Sequence, residues 1–290
     1  MKLSIGSIVL LLCIQACTAQ SKKIVLVKPG VINNQLSPEW KDALVTRMDK
    51  EELDSMAGLN RALTSEEQAW FKLIQSKTTK WNAFRDSLGV PFGNPRLADT
   101  LYILLGGFGV DDAFTYGPRT VCLDLTAFQA NYGMAGLAEN SERVDRIFSH
   151  EFSHLLHKDW MRKHAFTPKT FKDSVLWECM YEGVGMYRSL GMKWFPKNGV
   201  IPDITKTALE NLYPQFIQHI ATIQSSDNLS EQQKKEIRAH LSRGPVDKKW
   251  GAFTVAIWLS LEANGDDRKL VDWINKGMDA IIPLSKKYIP

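Results

Sequence analysis

Cysteine is scarce in this 290-residue chain: there are four, and two of them, Cys13 and Cys17, fall within the first nineteen residues. That leaves Cys122 and Cys179, which excludes a disulfide-dense scaffold; one bridge between them and two buried thiols both fit. A dominant charge is also missing, since 36 Lys and Arg face 32 Asp and Glu for a formal net charge of +4. Residues 1–19 hold one lysine and no acid, so without them 35 bases face 32 acids, net +3. This balance argues against nucleic acid as a partner. Beyond the N-terminus no apolar run is long enough to span a bilayer. Internal repeats and low-complexity segments are absent as well.

The N-terminal apolar run, Leu3 through Ile14 behind Met1-Lys2, is too short for a span and reads as a secretory signal covering 1–19. Ile14-Gln15-Ala16-Cys17 resembles a relaxed bacterial lipobox, which would make Cys17 a lipid anchor; cleavage after Ala19 is the other outcome. The expectation is an exported protein, periplasmic, secreted or in the cell envelope, that meets a membrane only through Cys17.

What is plentiful is apolar and helical. Hydrophobic residues make up 44% of the chain and tryptophan occurs nine times, enough for a substantial core. Residues 20–37, broken by Pro29-Gly30 and Pro38, read as a flexible or extended leader. Helical patterning covers about 38–62. Thr64-Ser65-Glu66-Glu67 forms a capping box, and a long helix follows to about Leu88, with Gly89 placed to end it. Thr100–Leu105 and Thr120–Leu125 read as strands of a small sheet near 98–128. After Pro202 the pattern is helical over roughly 204–224, 229–242, 247–263 and 267–277. The apolar stretch Trp250–Leu261 is expected to be buried and to wall a cleft. The fold class expected is α+β, with a helical region at 20–97, a core at 98–195 whose small sheet packs on a helix, and a second helical region at 196–290.

The densest chemistry lies in Ser149-His150-Glu151-Phe152-Ser153-His154. Val144, Ile147, Phe148, Phe152, Leu155 and Leu156 recur at helical spacing, which predicts an amphipathic helix over roughly 142–160, capped by Asn140 or Ser141. Residues four apart share a helix face, so His150 and His154 can present two imidazole nitrogens to one cation. Zn²⁺ accepts two histidines and a carboxylate and keeps a position for water. Glu151 is placed to take a proton from that water. A second helix is expected from Thr170 or Asp173 through Arg188, apolar at Val175, Leu176, Cys179, Met180, Val184 and Tyr187. Burying its Glu178 and Glu182 requires a counter-charge, and a divalent cation supplies one. Gly183 and Gly185 each cost about 1 kcal/mol of helix propensity relative to Ala. In exchange they admit a close neighbour, which fits packing against the His-Glu-x-x-His helix.

His-Glu-x-x-His followed by Glu-Gly-(aliphatic)-(small)-x-Tyr, here Glu182, Gly183, Val184, Gly185 and Tyr187, resembles the gluzincin group of metallopeptidases. Gly185 stands where alanine is more usual, and the match covers 140–190, under a fifth of the chain. The resemblance implies a zincin-like core, one Zn²⁺ on His150, His154 and Glu182, Glu151 as general base, and a peptide or protein substrate. In the thermolysin-like branch the ligand glutamate is followed four residues later by an acid that orients a ligand histidine. On that pattern Glu178 is the ligand and Glu182 its support; on the Glu-Gly context Glu182 is the ligand. An oxyanion donor is also needed, and Tyr187, Tyr181, His164 and His240 are candidates. A metzincin pattern would need Gly and His where His157 and Trp160 stand. His157 shares the ligand face, but one straight helix cannot close three ligands around a tetrahedral ion, so it reads as a partly buried or rim histidine. Zincins hold extended peptides along a sheet edge that precedes the active-site helix; a core sheet without that role is equally compatible. A catalytically silent envelope lipoprotein that only binds peptide is the alternative, and Glu151 argues against it.

Overall fold

The computed structural model describes residues 23–27, 31–32, 35–36, 38–56 and 62–289, with 96, 98, 198 and 227 excepted. The signal expected at 1–19, with Cys17, lies outside the described residues. β1 (Lys23–Val27) is followed by an antiparallel pair of two-residue strands, β2 (Val31–Ile32) and β3 (Gln35–Leu36). Next come α1 (Pro38–Leu44), α2 (Lys50–Met56) and the long α3 (Ser65–Gly89), then β4 (Thr100–Gly106), β5 (Ala113–Tyr116) and β6 (Thr120–Asp124). The remainder is helical: α4 (Leu125–Tyr132), α5 (Ala138–Lys163), α6 (Phe171–Ser189), α7 (Asp203–Ser225), α8 (Glu231–Arg238), α9 (Ala252–Ala263), α10 (Val271–Asn275) and α11 (Ile281–Tyr288). The class is α+β, as the sequence predicts.

The main sheet has the order β1-β4-β6-β5, with only β5 antiparallel to its neighbour. Residues 23–27, read from the sequence as leader, form its first strand and pair with Thr100–Leu104. The two-residue period decides what each face meets. Leu101, Ile103 and Leu105 of β4, with Val121 and Leu123 of β6, join the large helical core. Leu104 and Cys122 join a smaller cluster with Trp40, Leu44 and Phe114. Covering both faces is why β4 is a continuous apolar run. Cys122 and Cys179 belong to different clusters and are both free and buried, so the bridged alternative falls.

The capping box forms as read: Glu67 N–H donates to Thr64 Oγ1 at 3.2 Å, and Thr64 N–H to Glu67 Oε2 at 2.8 Å. α3 backs α5, with the Trp81 ring stacked on Phe148 at 4.3 Å and its indole N–H donating to Asp145 Oδ1 at 2.7 Å. Three expectations need correction. α5 starts at Ala138 without a side-chain cap, and Asn140 donates instead to the Tyr132 and Met134 carbonyls. Residues 125–128, expected within the sheet region, instead open α4, because Asp124 at the strand end accepts from Ala127 N–H at 3.0 Å and caps a helix. α9 is buried but packs behind α6, and none of its residues lines the cleft described below. Among the described residues no helix is long and apolar enough to cross a membrane.

Candidate metal centre and its cleft

α6 begins where the sequence places it, with Thr170 Oγ1 accepting from Asp173 N–H at 3.1 Å. It packs against α5 and brings Glu182 to the two histidines. One ligating atom each from His150, His154 and Glu182 lies within 4.8 Å of the others. Glu182 Oε2 is 3.4 Å from His150 Nε2 and 3.6 Å from His154 Nε2. Donors about 2.1 Å from a tetrahedral zinc stand roughly 3.4 Å apart, so this donor set fits the ion in both chemistry and spacing.

The protonation states of Glu182 and His154 fit a bound cation, whereas His150 would have to give up a proton to ligate one. Burial opposes ionisation of Glu182, but His154 and His150 outweigh it and hold its carboxyl at about 2. Burial pushes His154 well below the usual histidine range, so its imidazole is neutral. At His150 burial also works against the charged form, yet the hydrogen bond to Glu182 raises its pKa. A neutral imidazole and an ionised carboxylate are what a metal requires of its ligands. With Nε2 as the lone-pair atom, His150 Nδ1–H donates to Ser189 Oγ at 3.2 Å, which fixes the ring. His154 is oriented by stacking, the Tyr181 ring lying 4.1 Å away and 7° from parallel.

The two candidate glutamates differ in their partners. Glu178 accepts from Arg238 Nη1 at 3.1 Å, at the end of α8, and from Ser242 Oγ at 2.6 Å, in the loop that follows. It is neither ligand nor support for a histidine. Ser189 holds that supporting place, and its short hydroxyl carries no sequence signal beyond its position on α6. Tyr187 is also turned away, donating to Asp267 at 2.6 Å, so it is no oxyanion donor. His164 stacks on Trp160, and neither it nor His240 lines the cleft. Tyr181 does line it. His157 is a core residue rather than a rim one, 1% exposed and edge-on to Phe92, with burial pushing its pKa down to about 3.

The centre opens into a cleft of about 1070 Å³. Glu151 lines it, and burial raises its carboxyl to about 7, opposed by His150. A dication held beside it would draw that value down. The opposite lip is β5. Asp124 N–H donates to the Asp112 carbonyl at 3.0 Å, which in an antiparallel ladder turns the backbone groups of Ala113 and Thr115 to the free edge. β5 is thus the edge strand, and β6, expected at the edge, is interior. Lys158 on α5 donates to the Thr115 carbonyl at 3.1 Å and to its Oγ1 at 2.7 Å, tying the edge to the helix that carries His150 and His154. The sequence reading passed over Lys158, although it stands one turn beyond His154 on the same face.

The two glycines of α6 have different tasks. A Cβ on Gly185 would lie 2.8 Å from His150 Cε1, so the missing side chain makes room for a ligand ring. On Gly183 it would lie 2.6 Å from Val255 Cγ1, so that glycine admits α9. Gly183→Val is therefore expected to lower stability by about 1–3 kcal/mol through overpacking. Gly185→Val should instead displace His150 and weaken zinc binding about 10–100-fold. Denaturant melts and zinc titrations of both variants check the contrast; identical behaviour of the two would refute it.

No family model, curated protein or solved structure matches the chain. Its chemistry has to be argued from these residues alone.

Proposed function

We propose that the chain is a zinc-dependent metallopeptidase of gluzincin type, built on a zincin-like core. The observation that carries this reading is the convergence of His150, His154 and Glu182 on one point of a cleft that Glu151 also faces. A zinc ion bound there supplies a water of lowered pKa and polarises a carbonyl. The residues of the chain do the rest. Glu151, raised toward neutrality by burial, accepts a proton from the attacking water and returns it to the leaving amine. Ser189 and Tyr181 hold the two imidazoles against reorientation. With the Ala113 N–H held by Asp112 Oδ1 and the Thr115 carbonyl by Lys158, the Ala113 carbonyl and the Thr115 N–H are the edge groups that an extended peptide would meet, which favours peptide as the substrate. Tyr181 is the one oxyanion candidate from the sequence that faces the cleft, although its hydroxyl meets Thr115. The apolar run and lipobox-like residues at 1–19 support an exported location for this activity.

Profiling of cleavage products from a denatured proteome tests the reading. New peptide termini are expected with the zinc-loaded protein and should vanish with chelator. Identical product sets in both samples would overturn it.

A further inference from the structure

The walls of the cleft differ in how their charges are balanced. Beside β5 and the start of α5, each arginine has a carboxylate: Arg47 with Asp111, Arg143 with Glu139 at 3.1 Å, Arg146 with Glu142 at 3.5 Å. The other wall, from the chain after α6 and the loop between α8 and α9, carries Lys193, Arg243 and Lys249. Among the described residues none of these three has a carboxylate in ion-pair contact. Lys193 lies over the Trp194 ring, which leaves Arg243 and Lys249 with cationic heads unclaimed.

The loop that presents them is held in place. Trp250 N–H donates to the His240 carbonyl at 2.9 Å and Gly251 N–H to that of Leu241 at 3.1 Å, closing the loop at its base. The fully buried Trp250 donates its indole N–H to the Ile237 carbonyl at 3.1 Å. A Cβ on Gly251 would come 2.8 Å from Cys179 Sγ, so the loop seats directly on α6, one turn before Glu182. Lys249, next to the Trp250 anchor, is therefore carried at a set position on the wall of the cleft that the candidate ligands also line. Its ammonium is half-buried, which lowers its pKa, while Glu182 and Asp112 raise it from across the site. Arg243 continues the line, since it borders both the main cleft and an adjoining groove of about 360 Å³.

We propose that Lys249 and Arg243 form a carboxylate-recognition subsite, so that favoured substrates are peptides presenting a carboxylate beside the scissile bond. A half-buried ammonium with three donors and no acceptor in contact is suited to a ligand that brings one. The carboxylate is either a Glu or Asp side chain or the free end of the peptide. The inference rests on the metallopeptidase reading for its location, and its test is kept separate from catalysis.

Fluorescent peptides carrying one glutamate at successive positions, with glutamine twins, and each with a free or amidated C-terminus, are titrated into zinc-loaded Glu151→Gln protein. At one position, or at the C-terminus, the carboxylate form is expected to bind at least about tenfold tighter than its amide twin. In the Lys249→Met or Arg243→Gln background that preference should collapse, with zinc content and circular dichroism unchanged. The glutamate arm and the C-terminus arm tell the two carboxylate sources apart. Equal binding of acid and amide twins, or equal loss of both on Lys249→Met, would overturn the proposal. Cleavage by the unsubstituted protein is scored independently: failure to cut any peptide contradicts the peptidase reading and leaves the binding comparison decisive for the subsite.

Discussion

Glu151→Gln is expected to lower peptide hydrolysis by about 10²–10⁴-fold, the range that a positioned general base contributes. The substitution preserves shape and removes the carboxylate proposed to shuttle the proton. Glu151 sits in the interior of α5 and is not one of the three clustered donors. Zinc binding should therefore survive, and so should the melting transition. Single-turnover cleavage of a quenched peptide, with zinc content measured on the same sample, checks both halves. Full activity in the variant would remove Glu151 from the mechanism.

The second large effect separates Glu182 from Glu178. Glu182→Ala removes the sole anionic donor of the centre, and zinc affinity should fall by more than the roughly 10–100-fold that loss of a supporting group costs. Glu178→Ala, one turn earlier on the same helix, should leave zinc affinity unchanged. It breaks the bonds to Arg238 and Ser242, so its effect falls on the packing of α8 and its following loop. Competition titration against a zinc-binding dye reads both variants. The reverse ranking would show that the carboxylates have been assigned the wrong way round.

That pair also marks how far the sequence could be read. The spacing of His150 and His154, the cap at Thr170 and the extent of α6 follow from helical periodicity and local hydrogen bonding, which are written into short stretches of chain. Residues 178 and 182 share a helix face, so periodicity cannot choose between them; Arg238, sixty residues onward, decides it by occupying Glu178. β1 escaped notice because a five-residue strand becomes recognisable only through its pairing with β4. Ser189, Lys158 and Lys249 belong to the site through tertiary docking. Lys249 in particular depends on Gly251 seating against Cys179, a contact between segments some seventy residues apart. The candidate metal ligands were legible because two of them sit on one helix. The cleft around them was not, because its walls come from loops whose positions are set elsewhere.

The most direct measurement is an anomalous difference map at the zinc absorption edge from crystals of the protein equilibrated with zinc. The account predicts one strong peak within bonding distance of His150 Nε2, His154 Nε2 and a Glu182 oxygen. A map with no peak at that point, from crystals in which the three side chains are well ordered, would contradict it.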